Sequence, residues 1–522
     1  MEILRLIIPA ALFVQFISFS IASPLGCNSY PGQGVLAAPI EHERKDAKVL
    51  ILGGGVAGVI AARTLHEQGI PDFLIVEARH ELGGRLMDKQ FGDEELGRRY
   101  TVELGANWVQ GTQTGRGPVN PVWSLARKHD VNTRRSHFFE SIAMYDETGP
   151  VDYRDKFSQA VDNYNRLTSS AGVRVPKGLV DTTARGGYSL VTGSRPQTPH
   201  EIAAEYFLFD WEFSQSPEET SWIASSWANN YTFRADAGGF SEHNRMSVDQ
   251  RGFKTLIQDE AKEFLKGDGS QLRLNSTVRE VRYSENGVEV VLKDGSRLKA
   301  DYAICTFSLG VLQHNDVQFV PPLPLWKREA IHSMTMGVFT KIFIQFPEKF
   351  WFDTEIALYA DRERGRYTVW QSLDHPKFFP GSGLLFATVT GSFSKRIESL
   401  PDSLVESEVL SVLQSMFPER SIPDPTDFYF HRWHSDPLFR GSYSNWPASF
   451  LPEHSSNLRA NVDERLWFAG EATSRKYFGF LHGAYTEGEA IGMAVADCIN
   501  GGGCLGLEHM DDVFNASPYD MD

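Results

Sequence analysis

Three glycines, Gly53, Gly55 and Gly58, stand in G-x-G-x-x-G spacing, and an acid, Glu77, closes the apolar run that follows. This set suits one kind of chemistry. The first two glycines let the backbone turn tightly and approach a pyrophosphate, and a helix starting there offers it unpaired N–H groups. An acid at the end of the second strand accepts hydrogen bonds from a ribose hydroxyl. The flanking elements come in the order needed to position these groups. Residues 49–52 form a short apolar run suited to a strand buried on both faces, Ala57, Ala61, Ala62 and Leu65 give a closely packing helix, and Phe73–Val76 reads as a second buried strand. A glycine turn in an ordinary βαβ unit has no use for the acid. The expectation is a dinucleotide site.

A second glycine pair, Gly83-Gly84, precedes Arg85, whose planar fork of donors suits a phosphate. A nicotinamide fold does not need this element. Residues 48–85, together with Gly105-Ala106-Asn107-Trp108, resemble the FAD-binding N-terminus of the flavin-containing amine oxidases. Near the other end, residues 466–471 read as a buried strand running through Gly470 into Glu471. The segment His482-Gly483-Ala484-Tyr485 then opens a helix rich in small residues, a second helix N-terminus to face the cofactor. This module resembles the C-terminal segment of the same family. The resemblance implies that Gly84, Gly105, Trp108, Gly470 and Ala484 line the cofactor, that the backbone of Val278 contacts adenine and that Glu471 bonds the ribityl chain. It further implies that Trp433 lies against the isoalloxazine, and that Tyr443 and Tyr485 form the two walls of an aromatic cage around an amine. The loop 441–447 has no cysteine where monoamine oxidases bond their flavin, so FAD is expected to be non-covalent.

The strand 338–346 carries the most information for its length. Alternation puts Phe339, Lys341, Phe343 and Gln345 on one face, with Val338, Thr340, Ile342 and Ile344 on the other. A lysine flanked by aromatics either reaches water at a sheet edge or has a task. By resemblance, Lys341 holds a water beside flavin N5, assists re-oxidation by O2 and helps to position the amine. Thr198, Pro199 and Glu201 make a strong helix start, and the helix carries Tyr206, Phe207, Phe209, Trp211 and Phe213 with Glu212 among them. Glu212 matches an acid that faces the substrate tunnel of polyamine oxidases. Two substrate-side positions depart from that branch: Gln110 stands where plant polyamine oxidases carry a second acid, and Phe339 where relatives often have tyrosine.

The chain has 522 residues, 41% of them hydrophobic and 23% charged, which fits a globular protein of more than one core. The expected architecture is α/β: a Rossmann-like FAD-binding domain built from residues 47–122, 245–318 and 425–503. It is interleaved with an α+β substrate domain, a mixed sheet flanked by helices, from 123–244 and 319–424. The net charge of −16 argues against nucleic acid and suits cationic small molecules. Residues 1–22 read as a signal peptide, 23–46 as a flexible leader and 504–522 as an acidic tail, so a secreted monomer without a membrane anchor is expected. Sequons at Asn230, Asn275 and Asn515 agree with export. Cys305 reads as a buried thiol, and Cys498 and Cys504 are close enough to pair, although spacing alone leaves that open. No Cys/His cluster has metal-ligand spacing.

The resemblance runs from about residue 48 to residue 500, and it is nearest to the secreted polyamine oxidases. It implies hydride transfer from the carbon beside a neutral amine to flavin N5, leaving an imine that hydrolyses to aldehyde and amine, with O2 reduced to H2O2. An L-amino acid oxidase on the same fold would need a buried arginine for the substrate carboxylate, for which Arg432 and Arg440 are available. A catalytically silent flavoprotein is the remaining alternative.

Overall fold

The computed structural model describes residues 45–504 apart from 95–96, 137–138, 140 and 194. The expected signal peptide, nearly all of the leader, the Asn515 sequon and the acidic tail beyond 504 lie outside the described residues.

The expected first strand, Ala47–Leu52, is central in an eight-stranded sheet and pairs in parallel with Phe73–Val76 and Arg297–Cys305. Both faces of this strand are covered, which is why Val49–Leu52 can be apolar without alternation: all four residues are 0% exposed. Leu466–Phe468 joins the same sheet in parallel, Ile304 opposite Trp467, so that Arg297–Cys305 lies between it and Ala47–Leu52. The helix Val56–Glu67 crosses over between the first two strands and packs on the last helix, Leu481–Ile499. Small residues permit that contact: a Cβ at Gly488 would stand 2.4 Å from the carbonyl oxygen of Ala57.

A second, seven-stranded sheet runs in the order Asp427–Phe430, Phe339–Gln345, Leu384–Thr390, Val369–Ser372, Ile356–Tyr359, Ile142–Asp146, Gly149–Pro150. The strand Phe339–Gln345 shows the expected alternation. Ile342 and Ile344 pack with Val405, Val409 and Leu413 of the helix Asp402–Met416, while Phe343 turns to Phe91 and Phe386 on the other side. Lys341 and Phe339 share that second side, and it faces the first sheet's half of the molecule.

Three expectations need correction. The segment expected to begin the cofactor side at 425 opens on Asp427–Phe430, which is an edge strand of the second sheet and hydrogen-bonds to Phe339–Gln345. The boundary at 122 cuts through the helix Pro121–Lys128, whose Val122, Leu125 and Ala126 belong to the cofactor-side core. The helix capped by Thr198 and Glu201 stops at Leu208, and a separate four-residue helix, Asp210–Phe213, carries Glu212.

Cys498 and Cys504 form a disulfide, and Cys305 is a buried thiol pushed up to about 12 by desolvation. Asn275 is exposed, whereas Asn230 sits in the helix Trp222–Phe233 with its amide donating to the Thr168 carbonyl at 3.2 Å. Among the described residues, no helix is long and apolar enough to cross a membrane.

Gly58 explains its own identity. A Cβ there would lie 2.0 Å from the carbonyl oxygen of Gly53 and 3.3 Å from Ile51, so the helix can sit on the strand only without one. Gly58→Ala should therefore cost about 1–3 kcal/mol, read as a fall in unfolding free energy by denaturant titration. An unchanged midpoint and slope would mean that the helix can move outward freely.

Candidate active site and cofactor cavity

One long cavity of about 2120 Å³, counting its open mouth, runs from the glycine turn to the second sheet. At the turn it is lined by Gly53, Gly55, Glu77 and Val278, along the middle by Gly84, Arg85, Gly470 and Glu471, and at the far end by Gly105, Trp108, Lys341, Trp433, Tyr443 and Ala484. Glu212, Gln110 and Phe339 line the same far end. Of the residues expected to hold the cofactor or the amine, only Gly58 and Tyr485 are missing from the wall.

The donor set at the turn fits a dinucleotide. Gly53 has φ +114, and a Cβ would lie 2.5 Å from the Thr306 hydroxyl, so only glycine holds this path. The helix Val56–Glu67 begins without a side-chain cap, which leaves its first N–H groups for a phosphate. Glu77 is fixed in place, with Oε2 accepting from Gly54 N and Oε1 from Arg79 N, both at 2.7 Å. Bare backbone also faces the cavity farther on: a Cβ at Gly470 would meet nothing within 4 Å. The last helix, Leu481–Ile499, likewise lacks a side-chain cap, and its Leu481 and Ala484 line the wall.

Two of the expected cofactor ligands are already engaged with the protein. Arg85 Nη1 donates to the Ser442 carbonyl at 2.8 Å and to Glu471 Oε1 at 2.9 Å. Glu471 also accepts from Gly479 N at 2.7 Å, from Ser444 N at 3.3 Å and from the Ser444 hydroxyl. Both residues therefore shape the middle of the cavity as much as they offer groups to a ligand.

At the far end Lys341 Nζ donates to three acceptors: the Gly105 carbonyl at 2.7 Å, Asn107 Oδ1 at 2.8 Å and the Glu103 carbonyl at 3.0 Å. Burial pulls its ammonium down to about 7, against the opposing charge of Glu103. Glu212 is pushed up to about 7 by desolvation, and its carboxylate accepts from Gln110 Nε2 at 3.4 Å. Tyr443 donates its hydroxyl to the Glu212 carbonyl at 2.9 Å and stands 6.0 Å from the Phe339 ring, which in turn is 6.4 Å from Trp211. An acid, a lysine and a file of aromatic rings thus share one chamber.

Tyr485 is placed elsewhere. The helix turns it toward Val56–Glu67, where Arg63 lies over its ring at 5.3 Å and donates to its hydroxyl at 2.9 Å. Arg63 belongs to a knot with Glu260 and Lys128, remote from the aromatic chamber. The wall position expected of Tyr485 is filled by Phe480, just before the helix. Phe480 stacks on His482 at 4.9 Å, and burial brings that imidazole down to about 3, so it packs as a neutral ring. The signal for Phe480 was its place next to the uncapped helix start; the signal for Asn107 was its place between the two expected contacts Gly105 and Trp108.

Arg432 and Arg440 do not line the cavity. Arg432 donates to the Glu398 and Leu400 carbonyls at 3.0 and 2.9 Å, and Arg440 forks onto Asp316 at 2.7 Å.

Comparison with known proteins agrees with this geometry. The family model for flavin containing amine oxidoreductase matches residues 56–495. The chain is 37% identical to polyamine oxidase 7 of Oryza sativa subsp. japonica, covering 84% of this chain and 93% of that protein. It is 35% identical to polyamine oxidase 1 of Zea mays, over 90% and 93% of the two chains. A solved structure of putrescine oxidase with bound putrescine superposes with a TM-score of 0.68 over 87% of this chain and 99% of that one, at 17% identity, which bears on the fold. A dinucleotide cavity that ends in a buried lysine and a chamber of aromatic rings, in a chain with this match, has one reading: the protein belongs to the flavin-containing amine oxidoreductase family and is an FAD-dependent amine oxidase.

Proposed function

We propose that the protein oxidises polyamines, meaning spermine, spermidine or their N-acetylated forms, with O2 as acceptor and an aldehyde, an amine and H2O2 as products. One observation carries this reading: a half-buried carboxylate, Glu212, lies on the wall of the chamber that also holds Lys341, with the rings of Tyr443, Phe339 and Phe480 around it. A substrate with two separated nitrogens uses both ends of such a chamber. The polyamine oxidases among the relatives point the same way.

Bound FAD supplies a two-electron acceptor for the C–H bond beside the amine and, once reduced, a donor to O2. The chain's own residues do the rest. Glu212 holds a distal ammonium by charge, and the desolvation that raises its carboxyl also strengthens that attraction. Tyr443 and Phe480 offer ring faces that orient the reacting amine. Lys341, held by three acceptors, keeps one polar group fixed where the two halves of the molecule meet, and assists the reaction with O2. Among the described residues no cysteine lines the cavity, and FAD held non-covalently is part of the same proposal. Arg432 and Arg440, the two arginines available for an amino acid carboxylate, are engaged elsewhere. Export belongs to the same reading, supported by the apolar segment at residues 1–22 and by the Cys498–Cys504 disulfide.

Anaerobic mixing with spermine, spermidine, their N-acetylated forms and L-amino acids tests the substrate class. Polyamines should bleach the flavin; bleaching by amino acids alone would end the polyamine reading. The pH dependence follows from Glu212. Its carboxyl is charged above about 7 and neutral below, so attraction for an ammonium is present at higher pH and lost as the pH falls. KM should rise as pH drops through that point. Glu212→Gln should raise KM by about 10- to 100-fold at high pH and flatten the profile, whereas a persisting bend would place the dependence on another group. The cage assignment is checked by a pair of variants. Phe480→Ala should lower kcat/KM by about tenfold or more and Tyr485→Phe should leave it within about twofold; the reverse pattern would restore Tyr485 to the site.

A further inference from the structure

Behind Lys341 lie buried ionisable groups that this mechanism leaves idle. Asp88 and Glu103 are direct partners across the antiparallel strands Asp88–Phe91 and Tyr100–Glu103. Residues so opposed hold their Cβ atoms about 5 Å apart. Each carboxyl has one oxygen bonded and one bare. Asp88 Oδ1 accepts from Lys254 Nζ at 3.1 Å and Glu103 Oε1 from Phe253 N at 2.6 Å, while Asp88 Oδ2 and Glu103 Oε2 are buried without a hydrogen bond. The neighbouring backbone is cut to fit: Gly252 has φ +90, and a Cβ there would lie 1.9 Å from Asp88 Oδ2. The carbonyl of Glu103 is itself one of the three acceptors of Lys341 Nζ.

Two carboxylates directly opposed, Glu103 buried and Asp88 with its side chain 11% exposed, do not readily stay charged together, and one takes up a proton. Asp88 has the Lys254 ammonium to balance it; Glu103 has a single backbone N–H. Burial, with the charge of Asp88 added, pushes Glu103 up to about 8. The other charged groups around the pair are accounted for. Lys254 is shared with Glu81, Glu81 with Arg79, and Asp249, on the far side of a small cavity lined by Glu103 and Asn107, is paired with Arg251.

For Lys341 this matters because its surroundings pull in two directions. Three acceptors suit an ammonium, whereas burial favours the neutral amine, and Glu103 is the charge opposing that loss. We propose that the carboxyls of Asp88 and Glu103 share a single proton, and that Glu103 is thereby a positioning residue that sets whether Lys341 is an ammonium or an amine. The consequence for the reaction with O2 rests on the role read for Lys341 above. With the proton on Glu103, Lys341 lacks a counter-charge and gives up its own proton at lower pH. With Glu103 ionised, the ammonium persists to higher pH.

Infrared titration of the FAD-loaded protein reads the shared proton directly. The parent spectrum minus that of Glu103→Gln should hold a protonated carboxyl C=O band at neutral pH, distinct from that of Glu212, and in Asp88→Asn this band should titrate away about one pH unit or more below the parent. The pH midpoint of flavin re-oxidation by O2 should then move up by about one unit in Asp88→Asn, where Glu103 ionises readily, and down in Glu103→Gln, where the counter-charge is gone. A merely structural pair would move both midpoints the same way or neither. No C=O band in that difference, or shifts of equal sign, overturns the proposal. Glu103→Gln keeps the side-chain shape and the acceptor for Phe253 N, so it decides the matter even if Asp88→Asn does not fold. Lys341→Met separates the two layers. If it re-oxidises at the parent rate, the reading of Lys341 and the consequence for O2 both fall, and the infrared band alone decides the shared proton.

Discussion

The middle of the cofactor cavity depends on one carboxylate. Glu471 gathers the Arg85 guanidinium, the backbone N–H of Gly479, and both the N–H and hydroxyl of Ser444. These donors come from three stretches far apart in sequence, and each stretch forms part of the wall. A buried charge with several donors is costly to break, on the order of 3–5 kcal/mol when one partner is lost, because the others are left facing an empty place. The wall segments are therefore fixed to one another by the same atom pair that faces the cofactor, and they cannot drift separately.

The far end is held in a different way. Glu212 sits on a helix of only four residues, too short to aim a side chain by itself. Its neighbour Asp210 receives a fork from Arg364, whose Nε lies 2.9 Å from Asp210 Oδ1, and Tyr443 donates to Glu212's own carbonyl. Ser214 then leaves the helix in the left-handed region at φ +55. The carboxylate is thus aimed by contacts from the second sheet's loop and from the aromatic wall, so ring and acid keep a fixed relation.

What could be read from the sequence follows the range of the interactions involved. The glycine turn, its strands and Glu77 were legible because a βαβ unit is local and its residues have few other uses. The alternation in Phe339–Gln345 was legible because period two admits no ambiguity of face once one side is known to be buried. Helical phase was less secure. Tyr485 and Ala484 are neighbours, yet one turns to Arg63 and the other to the cavity, a difference of about 100° that a motif does not encode. The break at Phe209 was hidden inside an aromatic run that reads equally well as one helix. Asp88 and Glu103 were beyond reach altogether, since their meeting depends on the register of two short strands and on Gly252 arriving from a distant segment.

The strand Leu466–Phe468 has a bearing on how the protein is made. It covers the open side of Ala303–Cys305, a stretch already paired with Ala47–Leu52 on its other side. During synthesis that apolar edge waits for more than a hundred and fifty residues before its partner arrives. An uncovered hydrophobic edge invites pairing with other chains. The half-made chain therefore carries that liability, and the cavity lacks the wall formed by Gly470 and Glu471 until this strand has arrived.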